Sequence, residues 1–279
     1  MQHLFKHTTA LVIGGGAGLG RALCQELAHH KATVVVADID LGAAEETVRQ
    51  IEEKKGNARA VMLDVTDKRA VEDLVESVAS EFGRLDYLFN NAGITICGET
   101  DDLDIADWHR VFDVNFWGTV YAATAAFKVM QRQKSGYIVN TASVAGLTGA
   151  PFLAPFASSK SAIVGFTLSL REEAATYGIK VSTVCPGYLQ REIYEHAEYR
   201  GVRPEDVLKK IPFASMKPKK AAEAVIDGLT KNLPMIVFPL HARIISWLGR
   251  LNPSLVTPLK RKTLHDFRKA KLQPAERQA

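Results

Sequence analysis

The chain has 279 residues, 47% hydrophobic and 24% charged, with a formal net charge of +4. These values describe a globular protein with a sizeable core and exclude a disordered, collagen-like or low-complexity chain. No stretch reaches the roughly 18 apolar residues a spanning helix needs, and the N-terminus lacks the charged start, apolar run and cleavage site of a secretory leader.

Nine Lys or Arg against two acids lie between His241 and Ala279, a balance of +7 that leaves −3 for the first 240 residues. Basic and acidic residues are interspersed in that main body, so no nucleic-acid footprint is expected. Cys24, Cys97 and Cys185 have neither disulfide nor metal-ligand spacing and read as core residues in a reducing, cytoplasmic setting.

Short Val- and Ile-rich runs alternate with amphipathic stretches: "TALVIGG", "ATVVVAD", "ARAVMLD", "LDYLFNN", "SGYIVNTAS", "IKVSTVCPG" and "PMIVFP". The runs are too short for buried helices, and the segments between them are long enough for crossovers. The pattern predicts an α/β protein: one doubly wound, Rossmann-type parallel sheet covered on both faces. Helices are expected near 18–30, 41–55, 67–82, 105–132, 155–177 and 219–231. The main domain is placed at 1–239, with a substrate lid at about 188–218, and a basic amphipathic tail at 240–279.

Directly after the first strand come Gly14, Gly18, Leu19 and Gly20 at the mouth of the first helix. Glycines there let the backbone turn sharply and approach a pyrophosphate, while free N–H groups and the positive helix end attract it. The spacing differs from the commonest dinucleotide fingerprint, and a ligand-free glycine turn is the alternative reading. Asp38 closes the second run, 18 residues past Gly20. A carboxylate there can accept bonds from both ribose hydroxyls and would repel a 2′-phosphate, so NAD is preferred to NADP. The bland reading is a solvated aspartate at a strand end.

Further along the chain stand Asp64 in "MLDVTD", "NNAG" at 90–93, Asn115 in "DVNFWG", Ser143 in "NTASVAG", Lys160 in "FASSK" and Pro186-Gly187 in "VCPG". With the glycine turn, this ordered series resembles the short-chain dehydrogenase/reductase family from about Thr8 to Phe238. The resemblance implies that Asp64 and Val65 line an adenine pocket. It implies that Asn91, Ala92 and Gly93 hold the backbone near the cofactor, with Pro186 and Gly187 at the nicotinamide end. Asn115 would keep a bend in the long helix and anchor a water, Ser143 would bond the substrate oxygen, and Lys160 would bind the nicotinamide ribose. Members of the family are commonly dimers or tetramers joined through the helices carrying Asn115 and Lys160.

The family has a tyrosine four residues before the lysine, on the same helix face, where the ammonium stabilises phenolate. Here that place is Phe156, which keeps the ring and lacks the proton. General acid/base assistance is typically worth about 10²–10⁴-fold, so turnover is expected to be impaired. Three readings compete: an introduced Tyr-to-Phe change in an active enzyme, a natural non-catalytic NAD-binding sensor or scaffold, and residual activity through another acid such as Tyr188. Arg191 also departs from the pattern, where the family often has a threonine for the nicotinamide carboxamide. Ile94, Ile96, Leu147, Phe152 and Leu153, near the expected mouth, point to a small hydrophobic alcohol or ketone, or equally to simple loop packing. In the tail, Leu240, Ile244, Trp247, Leu248 and Leu251 fall at helical spacing with basic neighbours. That segment reads as a helix lying on an anionic membrane surface, or equally as one packed on a partner subunit or over the substrate mouth.

Overall fold

The computed structural model describes residues 5–187, 197–208, 216–269 and 271; Tyr188 and Arg191 lie outside the described residues. The first half of the chain runs β1 (Thr9–Ile13), α1 (Gly18–His29), β2 (Thr33–Asp38), α2 (Leu41–Glu52), β3 (Asn57–Met62), α3 (Lys68–Glu81), β4 (Tyr87–Asn90) and β5 (Ile96–Cys97). Then come α4 (Ile105–Phe112), α5 (Gly118–Gln133), β6 (Gly136–Thr141), α6 (Val144–Thr148), α7 (Ala154–Ala175), β7 (Ile179–Pro186) and β8 (Glu198–Tyr199). The last elements are α8 (Pro204–Leu208), α9 (Pro218–Thr230), β9 (Met235–Phe238), α10 (Leu240–Leu251) and α11 (Thr257–Arg268).

Seven strands form one parallel sheet in the order β3-β2-β1-β4-β6-β7-β9, and all seven expected runs are in it. Every residue of β1 is buried, as a central strand covered on both faces requires. One face packs α1 and α9 through Leu23, Leu27, Val225 and Leu229, with Ile51 of α2 beside them. The other packs α3, α5 and α7 through Val71, Val78, Ala122, Ala126, Leu170 and Ala174. Helix starts follow the chemistry of their caps: Asp40 accepts from the Ala43 N–H at 3.0 Å and Asp67 from the Ala70 N–H at 3.0 Å. Asp104 and Asp107 close a capping box at α4.

The helix expected over 105–132, with a bend at Asn115, is interrupted. Residues Asp113–Trp117 form a single π-helical turn between α4 and α5. Asn115, fully buried in that turn, donates to the Ile94 carbonyl at 3.0 Å and accepts from the Ile94 N–H at 2.8 Å. The extra residue in the turn is what lets the amide face the loop after β4.

The segment after β9 folds back on the body. Gly249 of α10 lies against Thr148 of α6: a Cβ there would come within 2.9 Å of the threonine Cγ2. Phe267 of α11 stacks on Phe152, and Arg268 and Lys271 pair with Glu99. Lys271 also reaches Asp102 at 3.0 Å. α11 therefore lies across the loops that follow β5 and α6.

Candidate active site

The order of the sheet reverses between β1 and β4, and the carboxyl ends of the strands at that crevice carry most of the residues singled out above. Gly14 (φ +79°) turns the chain out of β1, and a Cβ on it would lie 2.5 Å from the Ala92 backbone nitrogen. A Cβ on Gly20 would lie 1.8 Å from the Gly14 carbonyl oxygen, so only glycine permits the helix to start this close to the strand. Asn91 donates to that same carbonyl at 3.0 Å. Gly18 (φ +51°) and Leu19 open α1.

Helix α1 is the exception among the early helices. Its N-cap, Ala17, offers no side-chain acceptor, and its first turn contains no acid. The positive end and orphan N–H groups of a buried helix are thus left for an external anion. Arg21 and Thr47 brace the turn from behind. Arg21 donates to the Gly16 carbonyl and to the Thr47 hydroxyl (3.0 Å), and that hydroxyl donates to the Gly15 carbonyl at 3.0 Å. Asp38, at the end of β2, accepts from the Gly16 N–H at 2.8 Å, which sets its carboxylate at the rim of the glycine turn. The residues fit an adenine dinucleotide: a shaped glycine cradle, an uncapped helix end and an acid on its flank.

Asp64 and Val65 follow β3. Asp64 accepts from the Thr66 N–H (2.9 Å) and hydroxyl (2.8 Å). Val65 is buried against the start of α5, where a Cβ on Gly118 would come within 2.8 Å of the valine Cβ.

A second cluster lies beyond β4 and β6. Gly93 brings its backbone beside both Asn115 and Lys160: a Cβ on it would lie 3.1 Å from the Asn115 Oδ1 and 3.2 Å from the Lys160 Nζ. Lys160 is 3% exposed and donates to the Thr141 carbonyl at 2.9 Å. Burial draws its pKa down from 10.5 to about 8. Phe156, one turn earlier on α7 and 6% exposed, has its ring centroid 5.6 Å from that ammonium. Ser143 caps α6, accepting from the Ala145 N–H at 3.1 Å, and its hydroxyl faces the Pro186 carbonyl at 3.5 Å. Gly187 continues from β7 and donates to the Phe238 carbonyl at 2.7 Å.

Ser159 links the cluster and was missed in the sequence. Fully buried, it donates to the Phe156 carbonyl at 2.8 Å and accepts from the Asn115 amide at 3.1 Å. A buried chain from Asn90 through Asn140 to Thr167, at 2.8 and 3.0 Å, supports the floor. Of the apolar residues expected at the mouth, Ile96 has no exposed surface and Phe152 is covered by Phe267. A cleft of about 480 Å³ lies between Glu99, Thr100, Asp101, Pro151, Phe152 and α11. Its lining includes none of Gly93, Asn115, Ser143, Phe156 and Lys160.

Comparison with known proteins gives concordant matches. The family model described as short chain dehydrogenase matches residues 8–198. A 3-oxoacyl-[acyl-carrier-protein] reductase of Synechocystis sp. is 34% identical over 242 residues, covering 82% of this chain and 97% of the relative. The putative oxidoreductase SadH of Mycobacterium tuberculosis is 29% identical, covering 88% and 91%. A crystal structure of a short chain dehydrogenase/reductase from Burkholderia phymatum in complex with NAD superposes with a TM-score of 0.78 at 26% identity, over 84% of this chain and 89% of that one.

Proposed function

Since the chain belongs to the short-chain dehydrogenase family of oxidoreductases, we propose that it binds NAD(H) and serves hydride transfer with a hydrophobic secondary alcohol or ketone, with proton transfer impaired at Phe156. The observation that carries the reading is the uncapped start of α1 behind its glycine cradle, flanked by the Asp38 carboxylate. The NAD-bound relative of the same fold supports the choice of cofactor. Gly14, Gly18 and Gly20 would hold the pyrophosphate and Asp38 the adenosine ribose; the carboxylate would disfavour a 2′-phosphate.

NAD would supply the hydride acceptor or, reduced, the donor. Ser143 would hold the substrate oxygen through its hydroxyl. Lys160 would place its ammonium on ribose hydroxyls while Asn115 and Ser159 fix the backbone around it. Phe156 stands beside Lys160 with no proton to move, which favours cofactor retention with slow turnover. The same phenylalanine supports the second reading, a non-catalytic NAD-binding sensor or scaffold.

Phe156→Tyr separates the two. With the rest of the machinery competent, turnover of a panel of hydrophobic secondary alcohols should rise at least about 10²-fold. A variant that binds NADH by calorimetry and gains no activity would favour the scaffold, and absence of NADH binding at millimolar ligand would remove both readings.

A further inference from the structure

Helix α10 turns its small residues inward and its large apolar ones outward. Ala242, Ser246 and Gly249 are the buried positions. On the opposite face, Leu240, Ile244, Trp247 and Leu251 are 71%, 50%, 64% and 67% exposed. Their spacing of four, three and four residues sets them in one row along the helix. Leu255 and Leu259 extend the exposed apolar surface past the following turn. A surface helix in water keeps the reverse arrangement, so a contiguous apolar row of this kind marks an interaction surface.

Charge narrows the partner. Arg243 and Arg250 are exposed on one flank of the row, about a quarter turn round the helix, and Arg261 and Lys262 follow on α11. Residues 240–265 contain five Lys or Arg and no Asp or Glu. A second copy docked on this face by a two-fold axis would set the same basic groups against themselves, with no acid in the segment to neutralise them. An anionic headgroup layer neutralises the arginines and accepts the leucine, isoleucine and tryptophan side chains at its acyl boundary. We propose that α10 is an interfacial anchor that lays the molecule on an anionic lipid surface. No helix among the described residues is long and apolar enough to cross a membrane, so α10 lies in the plane of the interface.

Flotation of the full chain with phosphatidylcholine vesicles, with and without phosphatidylserine, tests this. Binding is expected to the phosphatidylserine vesicles and to weaken with added salt. Arg243→Gln with Arg250→Gln should lower partitioning by roughly 10- to 30-fold, as two basic charges near such a surface imply. Trp247→Ser with Leu251→Ser should lower it at least as much. All four side chains are exposed, so unchanged thermal melting is the control for folding. Equal partitioning of the native chain and both variants would overturn the proposal, as would failure to bind anionic vesicles. A concentration-dependent dimer that Trp247→Ser with Leu251→Ser dissolves, in protein that ignores vesicles, would assign the face to a second copy instead.

Discussion

Lys160 holds an amine where almost no solvent reaches, with the Thr141 carbonyl as its acceptor. Its folded-state pKa, about 8, lies below the ordinary 10.5. Between those values the unfolded chain carries a proton that the folded chain lacks, so stability rises with pH across the window; the full burial cost of the ammonium is felt below about 8. Denaturant titrations at pH 7 and pH 10 should show the native chain gaining about 2 kcal/mol on Lys160→Met over that interval. A constant difference would place the amine in a wetter site than the one described. At the opposite end of the crevice, Asp38→Asn should weaken NADH binding about tenfold or more, the usual effect of losing a charged acceptor, and narrow the preference over NADPH. Calorimetry with both dinucleotides measures it. These residues were legible because their signals are local. Gly14, Gly18, Gly20 and Asp38 announce themselves at the ends of their own strands. Ser159 and Thr47 gave no such sign: their partners, Asn115 and the Gly15 carbonyl, come to them only through the packed sheet.

Among the elements, the π turn shows where periodicity misleads. The apolar pattern continues through Asp113–Trp117, and a reading of period alone joins α4 to α5. What breaks the helix is a pair of bonds to Ile94, 21 residues away. Asn115→Ala leaves the partly buried Ile94 N–H and carbonyl, and the fully buried Ser159 hydroxyl, short of partners. We expect a loss of about 2–4 kcal/mol in denaturant stability, with faster hydrogen exchange at Ile94. Helix α6 and the parallel pair β5–β8 were equally invisible in the sequence. The first is five residues long, and the second joins segments about a hundred residues apart.

For the molecule as a whole, the layered sheet was fully legible because each strand and crossover carries its own apolar signature. Assembly of this chain is an expectation that rests on the family resemblance alone. On the described surface, Trp117 is exposed and stacks on Tyr121 at the start of α5, on the helix pair expected to join subunits. Light scattering should therefore give at least twice the 30.6 kDa chain mass. Trp117→Glu should shift it toward a single chain without changing the circular dichroism spectrum.

The first and last described residues sit on opposite rims. Phe5 packs on Tyr87 where β4 begins, whereas Lys271 is tied to Glu99 in the loop after β5. A purification handle or fluorescent fusion placed directly after Lys271 would therefore start beside the cleft beneath α11. The same handle leading directly into Phe5 would start at the far rim, clear of that cleft, and binding assays belong on protein prepared that way.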